Sequence, residues 1–262
     1  MALETAIRHV AGRVKGRIGV AVSEFPNGPL LSINGDEAFR AASVIKIPIL
    51  YELFRKSDAH TLDFNASHTV SSSNLCTGSG VIRLLHRPLQ LTIHDLATLM
   101  IVVSDNSATN ELIDVAGVAA VNSTMTSLGL NRTILRRKML GDSGGDVSFD
   151  NDNVSSPNDL LNLLRIIHSG ERLSKQSSDD LLGIMKTQQL RNKIPRYLPA
   201  SLPVANKTGT VRGVSNDAAV LYLNNKTVGL VVMSMDLEQS SYGRDTGLDT
   251  HAGNFRSGRS PG

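Results

Sequence analysis

Three short strings in this 262-residue chain bring together residue types that do chemistry. Ser43-Val44-Ile45-Lys46 sets a hydroxyl and an amine three residues apart, which on a helix is one shared face. A serine hydroxyl is a weak nucleophile until a base takes its proton, and a lysine can serve if burial and neighbouring positive charge lower its pKa. The first turn of a helix adds unpaired N–H groups and the positive end of the dipole, which suit an oxyanion. Ser104-Asp105-Asn106 offers a hydroxyl that can relay a proton to a leaving group and an amide that can bind a substrate carbonyl. Lys207-Thr208-Gly209 offers a second amine, for that hydroxyl or for a substrate carboxylate, and a glycine that lets a ligand approach the backbone. Each string alone has a plain reading: a capping serine with a surface lysine, a polar turn between helices, an edge-strand lysine that discourages aggregation. Ser-x-x-Lys occurs by chance about once in a chain of this length, and each tripeptide in roughly one chain in twenty. Their joint occurrence in this order is the informative observation.

The elements that must position these strings are legible from periodicity. Leu3, Ile7, Val10 and Val14 recur at helical spacing up to Gly16, Ile18 to Phe25 reads as a strand, Pro26-Asn27-Gly28-Pro29 as a turn, and Leu30 to Ile33 as the returning strand. From about Ala42 to Met185 the pattern is almost wholly helical. Val44 to Phe54 is apolar nearly all round, which predicts a central, buried helix, and Pro48 within it predicts a bend or an irregular first turn. Thr92-Ile93-His94-Asp95 is a capping box opening Leu96 to Val103; Ser107 to Ala116 is a helix that stops at Gly117. Ser156-Pro157-Asn158-Asp159 opens a helix that Gly170 closes. Arg136 to Ser155 is a long polar stretch without period, the kind of loop that is usually functional. After Pro203 the code changes to strands at Val204 to Thr210, Asp217 to Leu223 and Thr227 to Met235, with Asn224-Asn225 as a tight turn. Mixed α and β architecture follows.

The three strings together form the signature of class A β-lactamases and penicillin-binding proteins, and the chain resembles the serine β-lactamase and DD-peptidase superfamily, closest to class A. The resemblance runs from about Leu3 to Asp249 and includes Ser215-Asn216-Asp217, where the family has an Asn-Asp pair opening the next strand. It implies an α+β sandwich: an antiparallel sheet of about five strands flanked by helices, plus an all-helical lobe, with the site between them. On that likeness residues 1–262 are one domain, with the α/β part at about 1–41 and 200–262 and the helical lobe at about 42–199. It also implies roles. Ser43 is the acylated nucleophile, Lys46 its proton partner, and Ser104 the shuttle to the leaving nitrogen. Asn106 binds a substrate amide; Lys207, Thr208 and Thr210 hold a carboxylate; the N–H groups of Ser43 and Thr210 form the oxyanion hole. The implied activity is hydrolysis of a β-lactam or related amide or ester through an acyl-enzyme.

The chain departs from that pattern in the loop. Class A enzymes deacylate with a glutamate acting through a water, and no glutamate lies between Glu111 and Glu171. The expected position falls on Lys138 or Met139. Three readings follow: Asp142 or another loop acid substitutes, in a lactamase; the protein is a peptidase or esterase of the superfamily; or Ser43 stays acylated, in a β-lactam-binding sensor. The tail is the second departure, since Gly243 to Gly262 offers only Leu248, Ala252 and Phe255 in place of a long closing helix, which predicts a sheet face left exposed and either reduced stability or a covering partner.

Other function classes are disfavoured. With 40% hydrophobic and 19% charged residues the chain has ample material for a packed interior. Lys plus Arg exceed Asp plus Glu only by 27 against 24, and aromatics are 4% with no tryptophan, which argues against nucleic-acid partners. No segment has the ~20 unbroken apolar residues of a membrane span. The charged stretch Met1 to Val20 lacks a leader's apolar core, so a cytoplasmic protein or a mature exported form is expected, acting as a monomer on a small molecule. The seven histidines have no metal-ligand spacing and the one cysteine, Cys76, reads as a small buried hydrophobe, so neither metal nor cofactor is expected. Arg212 is an alternative carboxylate partner.

Overall fold

The computed structural model describes residues 2–141 and 147–238. Helix α1 spans Ala2–Ala11, followed by strands β1 (Arg17–Phe25), β2 (Leu31–Ile33) and β3 (Phe39–Arg40). A 3-10 turn at Ala42–Ile45 leads into α2 (Lys46–Asp58). Then come β4 (Ser67–Thr69), β5 (Gln90–Thr92), α3 (Ile93–Val102), α4 (Asn106–Ala116), α5 (Val118–Ser127), β6 (Val154–Ser155), α6 (Pro157–Ser169) and α7 (Lys175–Lys186). The chain closes its sheet with β7 (Val204–Val211), β8 (Val214–Leu223) and β9 (Lys226–Met235).

The sheet is antiparallel, five-stranded, in the order β2-β1-β9-β8-β7, so the first and last segments of the described chain meet at its centre. This is the expected α+β class. Helix α6 packs on β1 and β9 and α7 on β7. On the opposite face, Ile194, Leu198 and Leu202 cover Val204, Ala219 and Leu221, which alternate along their strands with the inward Ala205, Ala218 and Val220. The main core gathers around α2, whose residues Lys46 to Phe54 are all buried.

The local signals act as expected. Thr92 and Asp95 close a reciprocal capping box on α3 (2.6–3.2 Å). The Ser156 hydroxyl accepts from the Asp159 N–H at 3.2 Å, Pro157 takes the first turn, and Gly170 adopts φ 68° as the left-handed cap of α6. Pro48 is accommodated because the first turn is 3-10 and α2 proper begins only at Lys46. Three expectations are corrected. The stretch 42–185 is interrupted by β4 and β5, which pair with each other, and by β6, which pairs with β3 from before the stretch, because strands of two or three residues carry no readable period. The Asn216-Asp217 pair lies inside β8, which opens at Val214. The first helix, expected to run through Val14 up to Gly16, ends at Ala11, and Leu3 and Val10 on its apolar stripe are 60% and 63% exposed. The tail from residue 239 and the loop acid Asp142 lie outside the described residues.

Candidate active site

Ser43 lies in the 3-10 turn ahead of α2, and the approach to that turn is tied down from three directions. Asn216 on β8 donates its amide to the carbonyls of Arg40 and Ala41 (2.8 and 3.0 Å), and the Ala41 N–H donates to the Asn153 carbonyl at 2.9 Å. Strand β7 presses on the turn at Gly209, where an added Cβ would come within 3.0 Å of both the Ser43 nitrogen and the Ala41 oxygen. The glycine therefore admits the turn to the strand, where the sequence suggested a ligand's approach. Ala42 (φ 46°) and Ser104 (φ 56°), at the two chemistry-bearing turns, adopt the left-handed region that costs non-glycine residues on the order of 1–3 kcal/mol.

Lys46 is fully buried, and its ammonium donates to the Ser104 carbonyl (2.7 Å), the Ser104 hydroxyl (3.0 Å) and Asn106 Oδ1 (3.0 Å). Lys207 is equally buried on β7 and donates to the same Ser104 hydroxyl at 3.0 Å and to the Thr208 carbonyl at 2.8 Å. Two amines thus occupy the acceptor lone pairs of one hydroxyl and leave its proton free to donate. Burial lowers the Lys46 pKa to about 7, against the opposing fields of Asp105 and Cys76. Burial and then the neighbouring Lys46 charge push Lys207 well below the usual lysine range, with Asp217 opposing and Lys193 adding to the fall. Neither amine is within ion-pair distance of a carboxylate among the described residues. Asp105 is spent structurally: it caps α4 through the Ala108 N–H (2.9 Å) and accepts from the N–H groups of Val81 and Ile82 (2.6 and 2.8 Å).

The Ser43 side chain faces a cavity of about 90 Å³ whose lining includes Ala42, Ser79, Asn106, Met139 and Thr210. Its hydroxyl makes no hydrogen bond with a described residue, so the Ser43–Lys46 contact suggested by their spacing is not formed; the amine is held by Ser104 and Asn106 instead. Asn106 donates its own amide to the Thr77 carbonyl at 2.9 Å, so both ends of that side chain are engaged. A larger open depression of about 470 Å³, lined by Ser57, His60, Thr61, Leu62 and Asp63, contains none of these residues.

A model of the β-lactamase enzyme family matches residues 2–249. The chain belongs to that family. It is 29% identical to β-lactamase AER-1 of Aeromonas hydrophila over 209 residues, 78% of this chain and 67% of the relative. Among solved structures, a β-lactamase of Sphaerobacter thermophilus superposes with a TM-score of 0.84 at 32% identity, covering 90% of this chain and 89% of that one. A leucine-to-glutamate variant of PBP-A, solved as an acyl-enzyme complex with penicillin G, superposes with a TM-score of 0.83 at 28% identity over 92% and 90% of the two chains.

In this β-lactamase family member the loop residues Lys138 and Met139 have different surroundings. Lys138 turns away, donating to Asn74 Oδ1 and Asp114 Oδ2 at 2.7 Å each. Met139 lines the Ser43 cavity, with its N–H on Asn110 Oδ1 (2.7 Å) and its carbonyl accepting from Asn110 Nδ2 (3.2 Å). Met139 brings no ionisable side chain to that lining. Asp152 also lines the cavity, but Arg40 and Arg137 clamp its two oxygens at 2.7 and 2.5 Å. Cys76 is buried with its thiol on the Met139 carbonyl at 3.2 Å.

Lys193 is the residue that motif reasoning missed. Its ammonium donates to the Gly209 carbonyl (2.7 Å), the Thr210 hydroxyl (2.7 Å) and the Asn216 carbonyl (3.1 Å), which places a cation beside β7. Arg212, the candidate from sequence proximity, is exposed; neither it nor Lys193 is in the cavity lining, but Lys193 bonds the Thr210 hydroxyl, which is. Arg191-Asn192-Lys193-Ile194-Pro195 carries no periodicity and no motif, so only the fold could bring Lys193 there. Among the described residues no group of three or more His, Cys, Asp or Glu side chains could hold a metal, and no helix is long and apolar enough to cross a membrane.

Proposed function

We propose that the protein is an active-site serine hydrolase that opens β-lactams through an acyl-enzyme on Ser43, with acylation faster than deacylation. The observation that carries this reading is the pair of buried lysines meeting on the Ser104 hydroxyl beside the Ser43 cavity; that Met139, and no glutamate, is in the lining supports slow deacylation. Ser43 Oγ attacks the lactam carbonyl. Lys46, its pKa drawn down to about 7, turns its amine from Ser104 to Ser43 and takes the hydroxyl proton. The C–N bond breaks as Ser104 hands its own proton to the departing nitrogen and recovers one from Lys46, whose ammonium swings back to the 3.0 Å contact of the resting site. The N–H groups of Ser43 and Thr210 receive the oxyanion. Lys207, Thr208 and Thr210 hold the substrate carboxylate, with the Lys193 ammonium lending its charge from behind the Thr210 hydroxyl, and Asn106 holds its amide. The PBP-A variant captured with penicillin G supports a penicillin as the acyl donor.

Intact-protein mass spectrometry after mixing with penicillin G tests the reading. The expected result is a stable adduct with the mass of the intact drug, located on Ser43 and absent in Ser43→Ala. Rapid hydrolysis of a chromogenic cephalosporin without adduct would mean that another group, such as Asp142, supplies the base. Hydrolysis of an ester or D-Ala-D-Ala peptide with penicillin only inhibiting would mean a peptidase. No adduct and no hydrolysis would overturn acyl transfer altogether.

A further inference from the structure

Asp217 is 2% exposed and touches no part of the Ser43 cavity lining, yet it lies in the register opposite Thr208 of the Lys207-Thr208-Gly209 string. Its side chain leaves β8 on the face covered by Ile194, Leu198 and Leu202. One carboxyl oxygen accepts from the backbone N–H of Ile194 at 3.0 Å, and the other from Asn206 Nδ2 at 3.0 Å. Burial drives the carboxyl above its ordinary pKa, so an apolar side chain here would avoid a desolvation cost that the aspartate incurs. Its hydrogen bonds explain what is obtained in return. Ile194 directly follows Lys193, and Lys193 leaves the described helices and strands with φ −118° and ψ −115°, a backbone that no regular element maintains. The Asp217–Ile194 contact is the anchor next to the lysine whose ammonium spans Gly209, Thr210 and Asn216.

We propose that Asp217 is a positioning residue for substrate-carboxylate recognition, acting through Lys193: it holds the Ile194 backbone so that the Lys193 ammonium stays fixed beside β7. This rests on the reading of Ser43 as an acylated nucleophile. The role is geometric, so asparagine can fill it, losing only the charge that opposes the fall of the Lys207 pKa. In Asp217→Asn the carboxamide oxygen would still accept from Ile194, and the carboxamide nitrogen would donate to Asn206 after the Asn206 side chain turns over, since Asn206 Oδ1 is buried without a partner.

The test measures second-order acylation constants for two probes: a penicillin, which carries a carboxylate, and a neutral activated ester that lacks one. Asp217→Ala is expected to lower the penicillin constant about tenfold while leaving the ester constant within twofold; Asp217→Asn stays within threefold of wild type on both. In a Lys193→Ala background, adding Asp217→Ala costs no more than a further twofold on penicillin, because the two changes remove one interaction. Should Asp217→Ala fail to fold, Asp217→Leu, closer in size, carries the same comparison. Equal losses on both probes, multiplicative losses in the double variant, or a tenfold loss in Asp217→Asn would each overturn the positioning role. Failure of the wild type to be acylated by either probe would instead remove the functional reading on which it depends.

Discussion

Replacing Met139 with glutamate should convert a long-lived acyl-enzyme into one that turns over. The backbone at this position is held on both sides by Asn110, at 2.7 and 3.2 Å, so the new carboxylate would occupy the cavity wall that the thioether now fills. The basic side chains of its immediate loop are already engaged with carboxylates, Arg137 with Asp152 and Lys138 with Asp114. An unpaired, partly desolvated carboxylate keeps a pKa at or above its ordinary value and remains a competent base. A positioned general base is worth roughly 10²–10⁴ in rate, about 3–5 kcal/mol at ~1.36 kcal/mol per decade. The adduct lifetime should therefore shorten at least a hundredfold, and the acceleration should grow as pH rises through the glutamate pKa. The exchange removes apolar contact with the core, at a cost of about 1–2 kcal/mol, or a fall in Tm of roughly 2–8 °C for a chain of this size. Met139→Gln supplies the shape without the base. Decay of the adduct followed by mass spectrometry over time is the assay. If the glutamate and glutamine variants decay alike, Met139 does not stand where the deacylating water must be activated and the reasoning fails.

Three further outcomes follow from the same geometry. The wild-type acylation constant should rise with pH through about 7 and then level off, because the neutral Lys46 amine is the base and is depleted as it protonates below that value; a flat profile from pH 5.5 to 8.5 would remove Lys46 from that role. Gly209→Ala should slow acylation tenfold or more, since its Cβ meets backbone atoms of Ala41, Ser43 and Val44 at 3.0–3.1 Å and the turn must shift; rates within twofold of wild type would show the contact to be slack. His168 stacks on Phe25 at 5.6 Å, and burial together with the Lys186 and Lys175 charges lowers its pKa below 6.5. The unfolded chain therefore binds the extra proton first, so stability falls as pH drops below 6.5 and stops falling once the folded form is also protonated; His168→Phe should flatten that limb of Tm against pH.

The chemistry-bearing strings and the elements that carry them were readable in the sequence because they rest on local rules. A box such as Thr92–Asp95, a first-turn Pro157 and a left-handed Gly170 act within one or two turns of chain, and the spacing from Ser43 to Lys46 is a helical repeat. The buried apolar run after Ser43 and the three late strands are likewise patterns of near neighbours. What no local rule could supply is which partner an amine chooses. Lys46 bonds Ser104, 58 residues away, rather than the serine three positions before it, because the α3–α4 turn is folded against the start of α2. That Lys138 bonds Asp114 and Asn74 while Met139 lines the Ser43 cavity is likewise a long-range outcome. Lys193 and Asp217 entered only when packing laid an aperiodic segment over the edge of the sheet. Sequence alone thus determined the candidate groups and most of their secondary structure, through interactions spanning a few residues. The tertiary structure decided which of those groups meet, since burial and long-range hydrogen bonding exist only once distant segments share one interior.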